Sequence, residues 1–248
     1  MNRGYQLNYS DINSDMLDYE NRLVKAKKIA AVLRNEFNDL GSLTCLDIGC
    51  SGGIIAHYLS RNVANITGID IDQKAIEKAN LQFSSDNCKF LYADSMNLPF
   101  DDSSFDIVIC NHVYEHVPDA NRLMDEIYRV LKKSGVCYFG AGNKYMIKEV
   151  HYKLYFLSWF PQKLADYYLK KFRNIDHYYE KHLSYYGLKK LVSKFSIRDY
   201  TENIILEPSQ FHESNRLEFK VLRMMPGPLR RFLIRSLTQN FIWILRKK

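Results

Sequence analysis

The chain has 248 residues, 46% of them hydrophobic, enough for one large or two small domains with a buried core. Its net charge of +7 is uneven: residues 1–142 hold 14 Lys+Arg against 19 Asp+Glu, whereas residues 143–248 hold 21 against 9. The absence of an uninterrupted run of eighteen apolar residues speaks against a spanning helix, and the polar N-terminus lacks the apolar stretch of a secretory signal. Five cysteines (Cys45, Cys50, Cys88, Cys110, Cys137) form no Cys-x-x-Cys pair. They are expected to be buried free thiols of a reducing compartment, so the expected location is cytoplasmic.

In chain order, residues 1–40 are expected to form a polar arm and a cap helix. Asp15 to Phe37 places Leu23, Ala26, Ala30, Leu33 and Phe37 on one helical face, and Ser14 or Asp15 can cap it. From 41 to 142 strand-like and helix-like runs alternate: strands at 43–48, 65–70, 88–92, 105–111 and 135–139, helices at 53–61, 72–83 and 119–132. Such alternation implies a parallel sheet covered on both faces, with ligands at the carboxyl ends of the strands. Residues 143–182 break the rhythm and are rich in Tyr, Phe and Lys, with Pro161 after Phe160. Two inserted helices are expected here, serving either as a lid over an acceptor or as an extra packed layer. In 183–248 a helix is expected over Leu183–Phe195 and a strand within Ser196–Ile205. A helix is also possible from Phe211. A breaker at Pro226-Gly227-Pro228 precedes a basic amphipathic helix, Leu229–Leu237, and a closing strand, Asn240–Arg246.

The stretch Leu43 to Gly53 carries the chemistry. An apolar strand turns through Gly49, Gly52 and Gly53 into a helix start, which aims free N–H groups at a ligand. A dinucleotide Gly-x-Gly-x-x-Gly fingerprint would need glycine at Ser51 and Ile54. Asp47, two places before Gly49, would repel a pyrophosphate and suits a cationic group, pointing to S-adenosylmethionine (SAM) with its ammonium and sulfonium.

Leu46-Asp47-Ile48-Gly49-Cys50-Ser51-Gly52-Gly53 resembles the first motif of the class I SAM-dependent methyltransferases, with Ser51 where many members have glycine. Gly68-Ile69-Asp70-Ile71-Asp72 resembles their second-strand motif. Ala93-Asp94-Ser95-Met96-Asn97-Leu98-Pro99-Phe100, with Ser104 to Val108 following, resembles the subgroup called methyltransferase type 11, as does Leu131 to Val136. The resemblance implies a Rossmann-like α/β fold: a seven-stranded mixed sheet with helices on both faces, a final antiparallel strand, and a helical insert before the last strands. It implies SAM as cofactor, with contacts from the 49–53 loop (Gly49, Cys50, Ser51, Gly52, Gly53). Asp70 would accept from both ribose hydroxyls, while Asp72 suits the next helix cap. Asp94, with the Ser95 or Met96 N–H, would hold the adenine or else cap its own turn. Ile71 would pack on adenine or belong to the core, and Asn111 would approach the methionine end. Asp47 would hold the ammonium, directly or through water, or brace the loop. Tyr5, Tyr9 and Tyr19 could line the cleft.

Asn111 to Pro118 faces the reacting end, where His112 and His116 are candidate bases. Its Glu-His-Val-Pro resembles small-molecule and quinone methyltransferases, in which such a histidine can be structural. His151, His177 and His182 are further candidates. Base-amino methyltransferases carry Asn-Pro-Pro-Tyr where this chain has Asn111-His112-Val113-Tyr114, which argues against an exocyclic base nitrogen. No metal is expected, because no single element shows ligand spacing. Tyr155, Phe156, Trp159, Tyr167 and Tyr168 suggest an apolar or ring-shaped acceptor. Arg230, Arg231, Arg235, Arg246, Lys247 and Lys248 suggest an anionic surface, and the 229–237 helix suits peripheral contact with an anionic membrane. Together they favour O-methylation of a small-molecule, lipid-linked, quinone or glycan acceptor. RNA methylation, with nucleic acid as the anionic partner, and a non-catalytic SAM-binding role are the alternatives.

Overall fold

The computed structural model describes Gly4, Leu7 and residues 18–248; Tyr5, Tyr9, Ser14 and Asp15 lie outside the described residues. The first described helix, α1, is Tyr19–Arg34, and Asp18 caps it by accepting from the Asn21 N–H at 3.2 Å. Its inward face carries Ala26, Ile29, Ala30 and Leu33, all at most 1% exposed, and packs on α2, Ile54–Ser60. Tyr19 is exposed.

The core strands are β1 Thr44–Ile48, β2 Asn65–Asp70, β3 Cys88–Tyr92, β4 Phe105–Asn111 and β5 Leu131–Gly142. Their alternation with α2, α3 (Gln73–Phe83) and α4 (Ala120–Val130) gives parallel pairing throughout. Asp72 caps α3, accepting from Ala75 N–H at 3.2 Å. The expected helix 119–132 stops at Val130 and the strand begins at once, because Leu131 pairs with Phe105 across an irregularity in β4. β5 is therefore longer than the sequence pattern suggests.

The C-terminal segment completes a seven-stranded sheet of order β3-β2-β1-β4-β5-β7-β6. β7, Asn240–Lys247, slots antiparallel between β5 and β6, Phe195–Asp199. Two covered faces explain its continuous apolar run, Phe241 to Leu245, buried on both sides. One core layer packs under α1, α2 and α3, the other under α4 and α6, Tyr185–Leu191. All five cysteines are free and buried. Among the described residues no helix is long and apolar enough to cross a membrane.

The strand expected within Ser196–Ile205 is present as β6 and ends at Asp199, whose carboxylate accepts from the Thr201 N–H at 2.9 Å and starts α7, Thr201–Leu206. Two other expectations need correction. The insert holds one α-helix, α5 Gln162–Arg173, after a 3₁₀ turn at Leu157–Trp159, in place of two helices. It has a small core of its own around Leu154, Leu157, Ala165, Leu169 and Tyr178. The helix possible from Phe211 is delayed by a 3₁₀ turn at Pro208–Phe211, so that α8 is Leu217–Met224. α9 then runs Gly227–Leu237, with Pro226 as its cap and Pro228 in its first turn.

Candidate active site

Four parallel strands end on one edge, at Ile48, Asp70, Tyr92 and Asn111, and the segments after them wall a cavity of about 380 Å³. Gly49, Asp70, Ile71, Asp94, Ser95 and Asn111, six of the residues expected at a cofactor, line it, and so do His112 and His116. The opposite wall comes from α1 through Arg22, Lys25 and Lys28, and from Glu213 and Arg216 before α8. A Lys28–Glu213 ion pair ties these two walls together. The α1 half of this wall is the expected cap helix; Glu213 and Arg216 carry no signal in the chain, because they join α1 from nearly two hundred positions away.

Gly49 has φ +71°, and a Cβ there would stand 2.7 Å from Val113 Cγ2, so a side chain is excluded both by backbone conformation and by space. The N–H groups of Gly49 and Cys50 both donate to the Ile69 carbonyl, at 2.8 and 3.0 Å, pinning the turn to β2. Ser51 adopts φ +51°, and its N–H donates to Asp70 Oδ2 at 2.8 Å. Asp70 Oδ1 accepts from Asp72 N–H at 2.9 Å. The carboxylate thus braces the loops after β1 and β2 through backbone N–H groups and lines the cavity. Burial raises its pKa, opposed by these backbone hydrogen bonds.

The other expected contacts lie behind the wall. Asp47 is 3% exposed and does not line the cavity; burial pushes its pKa up to about 7, against the lowering effect of Arg22. Its charge faces Arg22, which does reach the cavity, because β1 side chains alternate and Asp47 points into the layer beneath α1. Cys50, Ser51, Gly52 and Gly53 form the turn into α2, with Gly53 as its N-cap at φ +80°. The Met96 N–H is consumed by Asp94 Oδ1 at 2.8 Å, and the Met96 side chain is buried. That leaves the Ser95 N–H as the candidate donor here, and gives Asp94 the turn-capping bond that its residue type allows.

At the other end His112 sits at φ +59° after β4, its N–H bonded to the Gly140 carbonyl at 2.8 Å. Its Nδ1 lies 3.0 Å from Oε1 of Glu115, which is fully buried. Burial alone would raise the Glu115 pKa, but the His112 hydrogen bond and the surrounding histidines hold it well below the usual carboxylate range. Burial lowers the His112 pKa, with Glu115 pulling the other way. Tyr114, between them, donates to the Gly142 carbonyl at 2.7 Å and accepts from Leu183 N–H at 3.0 Å, joining the two ends of the insert. The insert reaches the cavity through Val150 and His151. His182 is buried beneath, and His177 lies away, near Asp166. None of Tyr155, Phe156, Trp159, Tyr167 and Tyr168 lines this cavity.

Residues 46–139 match the family model described as a methyltransferase domain. A ubiquinone biosynthesis O-methyltransferase of Rickettsia bellii is 30% identical over 162 residues, which span 63% of this chain and 66% of that protein. The corresponding protein of Rickettsia conorii is 31% identical over 60% of this chain and 53% of its own length. A sterol 4-C-methyltransferase of Caenorhabditis elegans is 37% identical over 95 residues, 37% of this chain and 28% of that one.

The chain carries a SAM-dependent methyltransferase domain of the class I fold.

Solved structures extend the likeness from this domain to the whole fold. The plantazolicin methyltransferase BpumL, solved with a desmethyl-plantazolicin analogue and S-adenosylhomocysteine, superimposes with TM-score 0.61 at 18% identity, covering 96% of this chain and 90% of that one. A SAM-dependent methyltransferase from Mesorhizobium loti gives 0.56 at 15%, over 87% and 96%. The aligned stretch is somewhat under two thirds of the length of the first curated relatives.

The cavity fits SAM: a carboxylate at the end of β2, a glycine whose Cβ would collide with Val113 at the lining, and an apolar residue, Ile71, beside a backbone donor at Ser95. Replacing Asp70 with Asn puts an amide NH₂ against one of the two N–H groups it now accepts. SAM affinity is expected to fall about 10–100-fold, as follows from losing one charged hydrogen bond. Titration calorimetry giving the wild-type Kd would remove Asp70 from the site.

Proposed function

We propose that this methyltransferase methylates an oxygen atom of a small, ring-bearing acceptor of the quinone or lipid-linked class, with His112 as the base. The observation that carries this reading is the His112–Glu115 pair at the cavity wall. Glu115 accepts from Nδ1–H, which leaves Nε2 with the lone pair that removes the hydroxyl proton. SAM, when bound, supplies a methyl group on a sulfonium, leaving as S-adenosylhomocysteine once the bond to the acceptor oxygen forms. The remaining residues position: Asp70 and the Gly49 turn hold the nucleoside end, Asp94 with the Ser95 N–H the base, Asn111 and Arg22 the methionine end. Such orientation is worth roughly 7–11 kcal/mol of barrier. Similarity to ubiquinone O-methyltransferases supports an oxygen acceptor.

A second groove, of about 510 Å³, supports the lipid-linked part. Exposed Tyr186, Phe232 and Trp159 line it beside Arg231 and Arg235, so apolar and cationic groups share one face. Of the expected basic cluster, Arg230 and Arg246 are instead paired with Glu202 and Glu36, at 2.9 Å each.

The test is transfer from labelled SAM to fractionated lipid, glycan and RNA extracts, with a vesicle arm. Label is expected in the lipid or quinone fraction as an ether stable to base. The protein is expected to sediment with phosphatidylglycerol vesicles at low salt and to be released as salt rises. Label in RNA would replace the acceptor class. Bound SAM without transfer in any fraction would leave a SAM-binding partner protein, and recovery in the supernatant with all vesicles would remove the membrane contact.

A further inference from the structure

We propose that His116, His151 and Glu180 form a binding site for a divalent first-row transition-metal ion at the acceptor end of the cavity. The three come from different segments: the turn after β4, the start of the insert and its end. One ligand atom of each lies within 4.8 Å of the others. His116 Nδ1 stands 3.8 Å from Glu180 Oε1, and the two imidazole rings meet edge-on with centroids 5.1 Å apart. Ligand atoms about 2.0–2.2 Å from one ion stand somewhat closer together than this, a difference that small side-chain rotations close.

Three observations point to a cation. Glu180 is 3% exposed, and its Oε2 has no hydrogen-bond partner among the described residues. A buried carboxylate is costly without a compensating charge. His151 is already oriented as metal-binding histidines are: its Nδ1 lies 2.6 Å from Glu149 Oε1, while Glu149 Oε2 accepts from Tyr152 N–H at 2.8 Å. This carboxylate–imidazole pair sets the tautomer and leaves Nε2 as the ligand atom. Finally, His116 and His151 both line the cavity, so a set of two imidazoles and one carboxylate keeps coordination positions open to a guest oxygen. A second cluster, Glu149, His151 and His182, is also close-set. It would need the His151 nitrogen that Glu149 already holds, and Glu149 and His182 lie buried beneath the wall.

The role follows from the O-methylation reading and rests on it. The ion takes the acceptor hydroxyl oxygen as a ligand, lowers its pKa as a Lewis acid, and keeps its oxidation state while the proton passes to His112.

The test uses the full chain, stripped with a chelator and dialysed, and titrated with Co²⁺ by visible absorption and with Zn²⁺ by calorimetry and thermal melting. One equivalent is expected to bind, with the d–d bands of a nitrogen- and oxygen-ligated Co²⁺ and a Zn²⁺-dependent rise in Tm. His151→Ala and Glu180→Gln are each expected to weaken binding by about 100-fold or more, and Glu149→Gln by about 10–100-fold. His57→Ala, on α2 where the ring stacks on Phe83, is expected to bind as wild type. If His151→Ala fails to fold, the wild-type Co²⁺ spectrum and the Glu180→Gln titration decide. Absence of stoichiometric Co²⁺ and Zn²⁺ binding by the wild type, or binding that both substitutions leave intact, overturns the site. Undiminished transfer in chelator with no metal bound would overturn the ion's Lewis-acid role in the reaction. Metal bound without transfer to any oxygen acceptor would sink the O-methylation reading alone.

Discussion

Replacing His112 with alanine is expected to lower kcat with an oxygen acceptor by about 10²–10⁴-fold, the usual yield of a positioned base, while the Kd for SAM stays within about twofold. The separation arises because His112 and Asp70 stand at the ends of different strands, β4 and β2. Position 112 has φ +59°, a region where alanine is strained, so His112→Asn is the better-tolerated companion: it accepts this backbone but has no imidazole. Glu115→Gln offers a carboxamide where a carboxylate now accepts from Nδ1 at 3.0 Å. A smaller fall in kcat is expected there, since the ring keeps its place and loses only the charge that stabilises its protonated form. Steady-state kinetics with the identified acceptor, beside calorimetry for SAM, checks both. Full turnover by His112→Ala and His112→Asn would move the base elsewhere.

Truncating Trp243 to alanine is expected to destabilise the fold by about 3–5 kcal/mol, which corresponds to a loss of roughly 6–20 °C in Tm. Trp243 is fully buried at the centre of β7, opposite Phe139 on β5 and Asp199 on β6. Phe139, Phe241 and Tyr185 surround its ring, at centroid distances of 6.2, 5.6 and 5.6 Å. No neighbour can fill the space without breaking strand register. Urea melts of the two proteins, fitted with a common slope, measure the difference. A cost below about 1 kcal/mol would mean that the C-terminal strand does not hold the sheet together.

The two substitutions also probe different depths of legibility. β7 announces itself in the chain, because Phe241 to Leu245 is an unbroken apolar run and a strand covered on both faces leaves no polar side to write. The extent of β6 does not: Tyr200 to Ile205 suits a strand by residue type, yet the Asp199 carboxylate captures the Thr201 N–H and starts a helix. In the insert, aromatic content suggested an acceptor wall, but the aromatics pack into a local core or face outward. A polar residue, His151, makes the contact instead. Residue type reports what a side chain prefers to be near, and not which of several apolar surfaces it meets.

By itself the sequence determined the strand–turn–helix at Gly49, the carboxylates closing β2 and β3, and the parallel α/β alternation, because each is written in short-range terms: a conformation demanded of one residue, a period, a cap. Tertiary structure alone decided that Asp47 backs Arg22 instead of lining the cavity. It also decided that Glu213 and Arg216 join the cap helix α1 in the opposite wall, and that four histidines and three glutamates from 112 to 182 converge beside it. Those arrangements depend on how far apart in the chain two segments are that come to lie side by side. Chain folding sets that distance through the burial of whole faces, and no local pattern records it.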